Sequence, residues 1–130
     1  MQMKVKIYQD VYDSLHYIKK CNDKIAFFTD LPSGMPDSIM KAYVEPIMPF
    51  ADVYMSSLIC GYRKPNPKGL IEISNTLNID LRELIFIGDE KKDYEAAKRA
   101  NCKFFLIDRK NEKGSFTSLS EVVRKIYEGK

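Results

Sequence analysis

Long apolar runs are missing from this 130-residue chain, and no segment approaches the roughly 20 residues a helix needs to cross a bilayer. The amino terminus, MQMKVKIYQD, carries basic residues with no uninterrupted apolar stretch behind them, so the sequence predicts no secretory signal, no membrane association and a cytoplasmic protein. Cysteine is scarce. Cys21, Cys60 and Cys102 are odd in number, far apart and free of CxxC or Cys/His spacing, which argues against a disulfide framework or a zinc site and predicts three buried thiols. The single histidine, His16, lies within a helical pattern and has no second histidine to form a triad or metal site with it. A long basic block is lacking too. The net charge of +3 is spread over pairs such as Lys19-Lys20 and Lys91-Lys92, without the aromatic interleaving of nucleic-acid binders, so nucleic acid is not an expected partner.

What is present is an ordinary globular mixture, 45% hydrophobic and 30% charged. A domain of this length buries roughly two-thirds of its unfolded surface, and no repeat, low-complexity tract or linker interrupts the chain, so residues 1–130 are expected to form one domain. Three continuously apolar segments, Lys24 to Thr29, Leu84 to Ile87 and Phe104 to Ile107, read as strands of a parallel sheet buried on both faces. A weaker strand is expected over Asp52 to Met55, after a short helix within Asp37 to Tyr43 that stops before Pro46 and Pro49. Helical stripes recur at Val11, Leu15 and Ile18, at Leu70, Ile73 and Leu77, and at Tyr94, Ala97 and Ala100. The last helix is marked by a capping box, Ser118 with Glu121. Strands alternating with helices predict an α/β fold, a three-layer α/β/α Rossmann-like parallel sheet with right-handed crossovers.

In such sheets ligands bind beyond the carboxyl ends of the strands, so the residues there are the candidates. Thr29 and Asp30 follow KIAFF, where a hydroxyl and freed N–H groups can hold a phosphate oxygen; equally, Thr29 ends a strand and Asp30 caps a turn. After LIFI comes Gly88-Asp89-Glu90-Lys91-Lys92-Asp93. Asp89 and Asp93 stand one helical turn apart and can face one point, a plausible magnesium site, although acidic residues also stabilise a helix amino terminus by roughly 0.3–1 kcal/mol whatever the function. Lys64 lies in Gly61-Tyr62-Arg63-Lys64-Pro65-Asn66-Pro67, where proline stiffens the loop. Its ammonium can neutralise a phosphate and a carboxylate that otherwise repel each other, or it is simply solvated as most loop lysines are.

The ordered trio of a hydroxyl after one buried strand, a lysine in a K-P-x-P loop and a G-D-x-x-x-D after the next long strand resembles motifs two, three and four of the haloacid dehalogenase superfamily. The resemblance runs from about Tyr8 to Arg109. It implies Mg2+-dependent hydrolysis of a small phosphorylated substrate through an aspartyl phosphate. Thr29 and the N–H of Asp30 would bind the phosphoryl group, Lys64 would steady phosphate and nucleophile, Asp89 would ligate Mg2+, and Asp93 would ligate it or orient its waters.

The family's first motif, D-x-D-x-T/V after an apolar strand, is absent. Asp10, Asp13 and Asp23 precede the first strand, and none follows a buried run. The central strand of the sheet is therefore expected to be missing, and the chain to be inactive alone, as a fragment or as a shortened protein. Residues 1–10 read as an edge strand or the remnant of a cap junction, with Met3 to Tyr8 filling the gap or two chains pairing edge to edge as a homodimer. Two other classes fit less well: a receiver-like regulatory domain with Asp30 as phospho-acceptor, and a non-catalytic interaction scaffold.

Overall fold

Apolar runs of β-branched and aromatic residues fold as four short parallel strands in a computed structural model that describes residues 7–32, 34–110 and 115–128. β1 (Ala26–Thr29) pairs with β2 (Val53–Ser56), Ala26 opposite Val53 and Thr29 opposite Ser56. β3 (Ile85–Gly88) pairs with β4 (Lys103–Leu106), Ile85 opposite Lys103 and Gly88 opposite Leu106. The helices are α1 (Gln9–Lys20), α2 (Asp37–Tyr43), α3 (Ser57–Cys60), α4 (Lys68–Leu77), α5 (Lys91–Ala100) and α6 (Leu119–Glu128). This is the expected α/β order, with strands joined through helices.

Packing follows the helical stripes. Leu70 and Ile73, one turn apart on α4, are 1% and 2% exposed, and burying a side chain of this size contributes roughly 1.5–3 kcal/mol. Leu70 meets Ala96, Ala97 and Ala100 of α5, with Phe28, Phe86 and Phe104 closing around them. The alanines let α5 approach closely, which sets the helix directly on β3 and β4. Ile73 packs with Val53 and Met55 of β2. α1 packs against α6. Asp52 fixes the start of the first strand pair, because its Oδ2 accepts the Ile25 N–H at 2.7 Å and also meets the Lys19 ammonium.

Among the described residues no ladder joins β1 to β3, so the strands form two parallel pairs. Every residue of β1 and of β3 is only half-buried, whereas three of the four residues of β2 are buried. For the most apolar strands of the chain, that is the inverse of what a continuous sheet gives.

Several local expectations need correcting. The segment Met3 to Tyr8 falls largely outside the described residues, and Tyr8 itself is the N-cap of α1, not part of a strand. α2 ends before the prolines, but the chain continues as a 3-10 turn over Glu45–Phe50, which tolerates Pro46 in its first turn and Pro49 within it. α3 was not anticipated, since four residues give too little periodicity to read. Ser118 Oγ accepts from the Glu121 N–H at 3.2 Å, while the Glu121 carboxylate reaches back to the Thr117 N–H at 3.0 Å, one residue beyond the reciprocal partner of a capping box. Cys21 is exposed at the end of α1, and Cys60 and Cys102 are only partly covered, so the thiols are not uniformly buried.

Candidate functional site

The carboxyl ends of β1 and β3 open onto one cleft of about 250 Å³, and Thr29, Asp30, Lys64, Asp89 and Asp93 all line it. Residues up to 64 positions apart in sequence thus share one rim. Thr29 is the last residue of β1, and its hydroxyl donates weakly to the Asp30 carbonyl at 3.4 Å.

Of the two lysines that line the cleft, Lys64 is the more enclosed. Its Nζ lies 2.7 Å from Asp93 Oδ1, with the two side chains 8% and 5% exposed. The same ammonium sits 4.8 Å from the Phe28 ring centre and 5.6 Å from that of Phe86, so two aromatic faces take the place of its lost water. These rings were not singled out as site residues by sequence, since FF and IFI read as core. The loop that delivers Lys64 starts where Gly61, at φ +85°, ends α3 in the left-handed conformation. Asp30 holds its other end: Oδ1 accepts the Lys64 backbone N–H at 3.2 Å.

Asp93 has a second task. Its Oδ2 accepts the backbone N–H groups of Asp89 and Glu90, each at 3.1 Å, so it caps the start of α5 and pairs with Lys64 at once. Capping and site chemistry, alternatives in the sequence, are compatible at this residue. Gly88 makes the arrangement feasible: a Cβ there would lie 2.6 Å from Asp93 Cβ and Oδ2. A glycine before the aspartate is therefore a packing requirement, not only a turn preference.

Lys92 is the cleft residue that sequence reasoning passed over as surface charge. Its Nζ is 3.2 Å from Asp30 Oδ2 and 3.8 Å from Glu90 Oε2. Its position in the first turn of α5, across from the end of β1, was the available signal. Asp30 is 3% exposed in its side chain, so it links β1, the Lys64 loop and α5.

For a metal, the donors are few. Among the described residues no three His, Cys, Asp or Glu side chains are placed to hold a metal ion together. Both oxygens of Asp93 are engaged. Asp89 is exposed on the cleft, and among the described residues no hydrogen bond or ion pair engages its carboxylate. This donor set fits a hard cation that takes one carboxylate and completes its shell with water and substrate oxygens.

Comparison with known proteins places the chain. It is 31% identical over 78 residues to the phosphoglycolate phosphatase of Escherichia coli, covering 55% of this chain and 31% of that enzyme. It is 29% identical over 97 residues to the phosphoglycolate phosphatase of Salmonella typhi, covering 70% of this chain and 38% of that one. The chain thus spans about a third of the length of these curated relatives. Its fold is that of a phosphatase of the same superfamily from Thermococcus onnurineus, with TM-score 0.81 and 22% identity over 96% of this chain and 60% of that one. A superfamily hydrolase from Ehrlichia chaffeensis superposes with TM-score 0.80 and 20% identity over 98% of this chain and 62% of that one. The model of the haloacid dehalogenase-like hydrolase family matches residues 1–107, and the chain belongs to that family.

Proposed function

We propose that this chain carries the phosphate-and-magnesium half of a phosphohydrolase site and needs a nucleophile from elsewhere to turn over. The observation behind this reading is the convergence of Thr29, Asp30, Lys64, Asp89 and Asp93 on one cleft. In it Thr29 Oγ1 and the Asp30 N–H bind phosphate oxygens, Asp89 ligates Mg2+, and Asp93 holds Lys64 and the start of α5. The cleft's charges support a metal: Asp30, Asp89, Glu90 and Asp93 against Lys64 and Lys92 leave a formal excess of two negative charges. A phosphate dianion entering such a site is repelled unless a divalent cation accompanies it. The cation would supply that neutralisation and polarise the phosphoryl group.

The substrate class is a small phosphorylated molecule, as the names of the relatives suggest. The half-buried edges of β1 and β3 favour completion of the sheet by another strand, and edge-to-edge pairing of two copies is one route to it. A cytoplasmic location remains part of this proposal; among the described residues no helix is long and apolar enough to cross a membrane. The receiver-like alternative is disfavoured by Asp30, whose buried carboxylate is tied to the Lys64 N–H and the Lys92 ammonium and so is poorly placed to accept a phosphoryl group.

The test has two arms. Isothermal titration with Mg2+ and inorganic phosphate should show each enhancing the other's binding, an effect lost in Asp89→Asn; no phosphate binding in either condition would overturn the reading. With p-nitrophenyl phosphate and Mg2+ the chain alone should show no turnover, since the covalent route lacks its nucleophile. Magnesium-dependent turnover abolished by Asp89→Asn would refute the need for an outside nucleophile.

A further inference from the structure

We infer that Arg63 is a positioning residue for the phosphate cleft: its guanidinium ties the segment that carries Lys64 to the segment that follows β1. This deepens the phosphate-site reading above and rests on it. Residues 30–31 and 63–64 belong to no helix or strand, yet Asp30 and Lys64 supply opposite parts of the cleft wall. Their contacts are reciprocal. Arg63 Nη1 donates to the Leu31 carbonyl, and the Lys64 N–H donates to Asp30 Oδ1 at 3.2 Å. Each segment thus gives one side chain to the other's backbone, at neighbouring positions.

A single hydrogen bond between two irregular segments leaves them free to pivot about it, and a second one on the adjacent residues removes that freedom. Arg63 supplies the second. Its acceptor is a fixed point, because Leu31 is 4% exposed and its own N–H donates to Ser57 Oγ at 2.9 Å. A buried carbonyl needs a donor, and the guanidinium presents five N–H groups in a rigid plane suited to holding one. Arg63 is otherwise an exposed residue, and among the described residues no carboxylate pairs with it. Its contact therefore joins segments and neutralises nothing. Binding groups have to be held to within about 0.5 Å to act together, and the Asp30 N–H and the Lys64 ammonium come from the two segments that Arg63 ties.

Inorganic phosphate, titrated into the full chain with Mg2+ present, is the probe. Arg63→Met keeps an aliphatic stem over Leu31 and should fold, but it should bind phosphate about fivefold more weakly, the effect of one lost hydrogen bond. Arg63→Lys, with a donor still able to reach the carbonyl, should recover most of the affinity. The deficit of Arg63→Met should persist in about 0.5 M NaCl, where the field of an exposed charge is screened within a few ångströms. Hydrogen exchange reads the tie itself: the Lys64 amide should lose protection in Arg63→Met while the amides of α4 keep theirs. If Arg63→Met binds phosphate like the wild type, or its deficit vanishes in salt, the inference fails and the site reading stands. An unfolded Arg63→Met would make the residue a structural one and overturn the inference in the same way. Absence of phosphate binding to the wild type would sink both.

Discussion

Lys64 Nζ and Asp93 Oδ1 meet at 2.7 Å with both side chains almost fully buried, so a loop and a helix start that are distant in sequence are joined by one desolvated ion pair. Such a pair is weak evidence for stability in itself, because desolving two charges offsets much of their attraction. Removing one partner is another matter.

Lys64→Met is expected to destabilise the fold by about 3–5 kcal/mol, since it strands a buried carboxylate. Asp93→Asn should cost a similar amount: its amide oxygen can still accept the Asp89 and Glu90 N–H groups, but its NH2 then faces the buried Lys64 ammonium, which is left without a counter-charge. The double variant should be more stable than the sum of the singles predicts. A double-mutant cycle from urea denaturation measures the coupling; additive effects would show that the pair does not interact in solution.

Gly88→Ala tests the close approach behind the site. With its Cβ 2.6 Å from Asp93, either the α5 start or the end of β3 must shift, and a loss of about 1–3 kcal/mol is expected, as for overpacking elsewhere. Phosphate affinity should fall in parallel. A variant of wild-type stability that binds phosphate normally would mean that Asp93 is not pinned where it is described.

These two residues also show how far the sequence could be read. The apolar runs around Phe28, Phe86 and Phe104 specified the parallel strands, because three or four β-forming residues in a row between helical stripes leave little alternative. Thr29, Lys64 and Asp89 were legible because strand ends in a parallel sheet share one rim. The place of Lys92 in the cleft was not legible, since it depends on the ion pair with Asp30 62 positions earlier and not on any local pattern. The aromatic faces around Lys64 were hidden for a related reason: Phe in a buried strand has an obvious packing role that masks an electrostatic one.

Tyr54 provides a pH handle remote from the cleft. Burial, then the neighbouring Asp37 carboxylate, push its phenol up to about 12 from the ordinary 10.0. A raised value means the neutral form is favoured in the fold. The associated stabilisation is therefore fully present below about pH 10 and lost as pH rises towards 12. In Tyr54→Phe the drop in melting temperature between pH 9.5 and about 11.5 should be smaller than in the wild type, and the tyrosinate absorbance at 295 nm should lose one late component, while the still later one of Tyr127 stays. An unchanged alkaline slope would contradict the Asp37 contact.

Asp10 joins the two ends of the described chain, and its removal should be felt at α6. Its Oδ2 accepts the Leu119 N–H at 2.8 Å, and its Oδ1 lies 3.2 Å from Arg109 Nη1. Leu119 is the first residue of α6, so a carboxylate 109 positions away caps that helix in addition to the local contact from Ser118. Asp10→Ala should cost about 0.5–2 kcal/mol, the range for loss of a helix cap. Asp13→Ala on the same helix, whose carboxylate among the described residues meets only the exposed Gln9 amide at 3.2 Å, should be nearly neutral. Hydrogen exchange separates capping from general destabilisation: the first-turn amides of α6 should lose protection in Asp10→Ala before those of α4 and α5 do. Uniform loss across all three helices would mean that Asp10 matters through the α1 packing and not as a cap.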